Sequence, residues 1–196
     1  MANWRNFYLQ KAGTDSDNNA HPTYESVKQW GVWCKDIPFK LFDKVKEPAK
    51  RTWYDEHGDD EYIPADGLML EAYTMDVEFG CKIMKATTDG SDSIPAVEDV
   101  RANVAAFLEY LRTNGMLMIY SAHTRIGRTD VRLDSVGSDA KWKREKALKV
   151  VSGTSTMTYD EYLVFKVTFK VNDPKTDVTL DNNGKLVIVV PQANED

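Results

Sequence analysis

The sequence predicts a mainly β (α+β) protein: an antiparallel β-sandwich or split barrel with one packed amphipathic helix at about 96–112. Two stretches, Leu68–Cys81 and Glu161–Val171, alternate apolar and polar residues with the period of a half-buried strand. A third, Val100–Leu111, places Val100, Val104, Phe107, Leu108 and Leu111 on one helical stripe. A lone helix of that kind needs an apolar sheet face to cover.

The helix is bounded by chemistry. Pro95 suits a first turn, whose amide needs no acceptor, and Glu98 and Asp99 put negative charge at the positive end of the dipole. Asn114-Gly115 supplies the stop, since glycine readily takes the left-handed conformation.

Taken in order, residues 1–12 hold Trp4, Phe7, Tyr8 and Leu9, the makings of a first strand or docked arm. Gly13–Ala20 is a polar loop. Tyr24–Lys35 reads as a strand kinked at Gly31, and Asp36-Ile37-Pro38 breaks it. Lys40–Arg51, with Leu41, Phe42 and Val45, is a short strand or a helical turn ended by Pro48. Residues 52–67 read as an acidic loop whose base Trp53, Tyr62 and Ile63 would pin. In Leu68–Cys81 the residues Met69, Tyr73, Met75, Val77, Phe79 and Cys81 share one face, and Thr74, Asp76 and Glu78 the other. Thr87–Ser93 is a loop into the helix, Met116–Tyr120 an apolar strand, and Asp130–Val136 another after a turn at Gly127. Gly137–Thr158 is polar and basic and has no clear period. In Glu161–Val171 the apolar face is Leu163, Phe165, Val167, Phe169 and Val171. Asn183-Gly184 between two short apolar runs signals a hairpin of the type I′ kind. Residues 1–176 thus read as a β-sandwich domain with one helix, and 177–196 as a C-terminal hairpin and polar tail.

Composition narrows the function. With 196 residues, 42% hydrophobic and 29% charged, the chain has the makeup of a globular domain. A net charge of −6 argues against sequence-specific nucleic-acid binding. Lys141, Lys143, Arg144, Lys146 and Lys149 form too local a basic run to reverse that, and read as a solvated loop or helix face. No signal-peptide core and no apolar run of about 20 residues occurs, so neither secretion nor a membrane is expected. Cys34 and Cys81 read as buried small hydrophobes rather than a disulfide.

No reaction is legible. Asp55, Glu56, Asp59, Asp60 and Glu61 surround His57 and Gly58, but their spacing is wrong for a calcium loop. His21, His57 and His123 fall in no zinc pattern. Asp76 with Glu78, or Ser121 with His123, are formal acid–base or nucleophile pairs, and a polar surface explains each more simply. No phosphate-cradling glycine pattern occurs. No catalytic residue, metal or cofactor is therefore expected, and no ligand-binding residue is identified. Five tryptophans and nine tyrosines suit a core, an interface or a sugar platform alike.

The order of elements, together with Trp30-Gly31-Val32, Ile37-Pro38-Phe39 and Lys170-Val171-Asn172-Asp173-Pro174, resembles prophage tail structural proteins. Over residues 24–180 it is most similar to the N-terminal domain of siphophage distal tail (Dit-type) proteins, and shares its plan with tail-tube proteins. That resemblance implies a non-enzymatic subunit that self-assembles into a ring, hexameric in the distal tail family, or a tube. Its partners would be its own copies and other tail proteins, and its place the virion tail, assembled in the bacterial host cytoplasm. Opposed charge would set the register, with Asp55, Glu56, Asp59, Asp60 and Glu61 of one copy facing Lys141, Lys143, Arg144 and Lys146 of the next. The alternative from the residues alone is a monomeric β-sandwich binding module for a carbohydrate or protein ligand.

Overall fold

The two alternating stretches of the sequence are neighbours in space, paired antiparallel from Leu163↔Cys81 to Val171↔Tyr73. The computed structural model describes residues 6–38, 44–55, 57–65, 67–82, 100–151 and 154–189, with backbone alone at 145–151 and 154–161. In chain order its elements are β1 (Phe7–Lys11), β2 (Thr23–Glu25), α1 (Ser26–Trp30), β3 (Val32–Asp36), β4 (Ala49–Thr52), β5 (Asp59–Tyr62) and β6 (Tyr73–Cys81). There follow α2 (Val100–Thr113), β7 (Leu117–Ser121), β8 (Ile126–Val136), β9 (Lys141–Val151), β10 (Thr154–Val171), β11 (Val178–Leu180) and β12 (Leu186–Ile188).

The architecture is mainly β, as the alternation predicts. One large antiparallel sheet runs β2-β1-β7-β8-β10-β6-β3, with β9 added to β10, and it is not closed into a barrel. It curls nonetheless. Three strands separate β1 from β6, yet Phe7 and Phe79 meet edge to face with ring centroids 5.2 Å apart. The concave face holds the core: Phe7 and Leu9 of β1, Val77 and Phe79 of β6, and Val167 and Phe169 of β10 are all fully buried.

The amphipathic helix packs onto this face. Val100, Val104, Phe107 and Leu111 of α2 are buried and Leu108 is partly so, the stripe that the spacing predicts. Phe107 meets the rings of Trp30, Phe79 and Phe165. Gly115 takes φ 65° just past the helix end. The start signals Pro95, Glu98 and Asp99, and the loop Thr87–Ser93, lie outside the described residues, as do Trp4, Leu41, Phe42, Glu56 and the polar tail.

Gly31 does not kink a strand. Residues 26–30 form a short helix, and Gly31 at φ 63° closes it by donating its amide to the Val27 carbonyl at 2.9 Å. A five-residue helix has too little length for a 3.6-residue period to show. α1 turns the chain from β2 to β3, with Ser26 Oγ donating to the Val32 carbonyl at 2.7 Å. Asn103 Nδ2 of α2 donates to the Trp30 carbonyl at 2.7 Å and ties the two helices together.

The C-terminal hairpin lies on the convex face. Val178 and Leu186 are buried there against Tyr8 and Met118. Gly127 of β8 permits the approach, because a β-carbon on it would overlap the Val178 carbonyl. The turn contains one left-handed residue, Gly184 at φ 77°, whereas a type I′ turn needs two. Asp181 replaces the second by accepting the amides of Asn183 and Lys185 at 2.8 and 2.7 Å.

Candidate functional site

Two hairpins leave the sheet, and they carry the charged residues that the sequence singles out. The first is β4–β5. Its base is a bridge between Val45 and Leu70, with the Lys46 amide donating to the Met69 carbonyl and the Glu71 amide to the Lys44 carbonyl, both at 2.7 Å. The four residues of each strand are all exposed. The expected acidic loop is therefore partly a strand: Asp59, Asp60 and Glu61 sit in β5 opposite Thr52, Arg51 and Lys50 of β4. Opposite charges across the pair stabilise a strand that has no apolar face to bury. The Thr52 hydroxyl donates to Asp59 at 2.6 Å, and that hydrogen bond holds the Asp59 carboxyl below its usual range.

Trp53, Tyr62 and Ile63 do not pin the base of this hairpin by burial. Tyr54 at its tip is 99% exposed and Tyr62 70% exposed. Trp53 instead lies under the Arg51 guanidinium, 4.4 Å from its ring centroid, and its indole donates to Asp60 at 3.3 Å. The hairpin thus projects an aromatic tip within a band of carboxylates.

The second is the ribbon of β9 and β10. The basic run is neither loop nor helix: Lys141, Lys143 and Arg144 lie on β9, whose strand continues through Lys146. Both faces of β9 meet solvent at its start, where residues 141–144 are exposed, so no apolar alternation marks it in the sequence. β8 and β9 pair in succession along the side of β10 away from β6, interrupted at 137–140. Nine register pairs, Thr154↔Val151 to Tyr162↔Lys143, precede the start of β6 pairing at Leu163. At ~3.3 Å per residue that ribbon extends roughly 27–30 Å past the other described strands.

At the interruption the convex face opens into a cleft of about 400 Å³. Glu78, Asp139, Lys141, Lys143, Val164 and Lys166 are among its lining residues. Glu78 is already held by Lys35 Nζ at 2.6 Å, and that bond lowers its carboxyl below the ordinary value while raising the lysine. The cleft is therefore lysine-dominated. Trp142, 55% exposed, is not among the cleft residues, because it alternates with Lys141 and Lys143 along β9 and pairs with Leu163 of the core face. Lys166 and Glu78 are not legible as a pair in the sequence, because only the β6–β10 register sets them opposite each other.

The remaining candidates stay apart. Asp76 accepts a hydrogen bond from Thr168 at 2.7 Å on the convex face and is not among the cleft residues. His123 lies in the turn at 122–125 and is not among the cleft residues. Cys34 and Cys81 are buried free thiols. Among the described residues no group of three or more His, Cys, Asp or Glu is placed to hold a metal ion, and no helix is long and apolar enough to cross a membrane.

No family model matches the sequence, and no curated protein matches it. Among solved structures, the chain is similar to the Dit protein (gp 19.1) of phage SPP1, described as a paradigm of the hub adsorption apparatus in phages that infect Gram-positive hosts. The TM-score is 0.43 at 13% identity, over 88% of this chain and 52% of that one. The chain thus spans about half the length of that protein.

Proposed function

We propose that the chain is a non-enzymatic structural subunit of a phage tail, assembling with its own copies into a ring or tube beside other tail proteins. The observation that carries this reading is the pair of projecting hairpins on an open sheet. Exposed strands with unpaired edges are a liability in a lone subunit and a joint in an assembly. The order of elements and the tail-like segments Trp30-Gly31-Val32 and Lys170-Val171-Asn172-Asp173-Pro174 support the tail assignment. In this reading residues 1–176 are the body of the subunit and the hairpin within 177–196 braces it. The acidic band of β4–β5 and the basic start of β9 are the contacts, with six copies the expected ring.

Absolute mass by light scattering over a concentration series, with electron micrographs of the largest species, tests the proposal. A closed ring or stacked tube is expected. A strict monomer throughout would overturn self-assembly and favour the second reading, a monomeric binding module for a carbohydrate or protein ligand. That reading draws on the cleft, and a mass-detected shift on screening glycans and peptides would detect it.

A further inference from the structure

The cleft and the β4–β5 tip have complementary chemistry. The tip offers Tyr54, almost wholly exposed, between Asp55 on one side and the Asp59–Glu61 strand on the other. Among the described residues Asp59 has Lys50 as an ion-pair partner, while Asp55 and Glu61 have none. The cleft offers Lys141, Lys143 and Lys166 over a floor that includes Val164, which is 7% exposed. Of its two acids, Glu78 is already paired with Lys35, which leaves Asp139 against the three lysines. Its volume, about 400 Å³, lies within the roughly 300–1,000 Å³ typical of small-molecule pockets, room for one aromatic side chain.

We propose that the lysine-lined cleft beside β9 is the receptor for the β4–β5 tip of a second copy, with Tyr54 entering the cleft and Asp55 and Glu61 meeting Lys141 and Lys143. This deepens the self-assembly reading and rests on it. The two halves of the joint are different surfaces of the same chain, so the contact is heterologous. Such a contact propagates head to tail and closes into a ring when the rotation between neighbours allows. Tyrosine suits the anchor role, since it fills a pocket with a rigid ring at small entropic cost.

Charge reversal on each half tests the pairing. Asp55→Lys with Glu61→Lys forms one full-length variant, and Lys141→Glu with Lys143→Glu forms the other. Each alone should lower the association constant by roughly a hundredfold, because like charges now face each other across the joint. Mixed in equal amounts the two should assemble again, since every tip then finds a cleft of opposite charge on the other variant. A third variant, Tyr54→Cys with Ser138→Cys, should give a ladder of disulfide-linked multimers under mild oxidation, and circular dichroism confirms that each variant is folded. If the wild type assembles but the reversed variants assemble equally well and no ladder forms, the tip-in-cleft contact is overturned while self-assembly stands. If the wild type stays monomeric at its highest soluble concentration and no ladder forms, both are overturned.

Discussion

Single atoms decide several features of this chain. Gly80 lies in the middle of the sheet with the Trp33 indole flat across it, and a β-carbon there would come within 2.5 Å of the ring. Gly80→Ala should therefore displace Trp33 and cost about 1–3 kcal/mol in denaturant unfolding, the usual penalty of overpacking. Trp33→Ala, combined with it, should recover part of that loss. Burial pushes the Cys34 and Cys81 thiols to about 12. Neither should react with a thiol reagent at pH 8 in the folded chain, and both should react after denaturation. Glu78 titrates below its ordinary 4.5 because Lys35 donates a hydrogen bond to its charged form. Its contribution to stability is complete above that value and disappears as pH falls through the depressed pKa. The stability difference between wild type and Glu78→Gln, at most about 1 kcal/mol at neutral pH, should shrink to nothing in acid melts.

Legibility varies with how each element is covered. α2, β6 and β10 each bury one face, so their periods were plain in Val100–Leu111, Tyr73–Cys81 and Leu163–Val171. β9 and β5 bury almost nothing at their described positions, and alternation cannot mark a strand that is wet on both sides. α1 was hidden by its length, although Gly31 carried the stop signal that ends it. The candidate contacts were legible as charge, since runs of like sign need no fold to be seen. The cleft was not, because Glu78, Lys143 and Lys166 come together only through the registers of β6, β9 and β10. At this scale α2 is the element to test. Phe107 is fully buried among three aromatic rings, and Phe107→Ala should cost about 3–5 kcal/mol by calorimetry or denaturant.

The whole molecule has a body that is stable by burial and a β4–β5 arm whose strand residues are all exposed. Replacing residues 49–62 by a short glycine-containing turn removes only strand residues that are exposed. The melting temperature should stay within a few degrees of the wild type, while light scattering should show a monomer. Loss of folding on that deletion would mean that the arm supports the body.

The place of the first strand has a consequence for how the protein is made. β1 sits inside the sheet, between β2 and β7, and its partner β7 spans Leu117–Ser121. At roughly 5–20 residues per second, a ribosome needs on the order of 5–20 s between releasing one and releasing the other. During that interval the Phe7 and Leu9 side chains have no finished core to enter. Exposed apolar residues of β1 should therefore slow productive folding until β7 emerges, and crowding of many ribosomes on one message is the condition under which the chain should aggregate first.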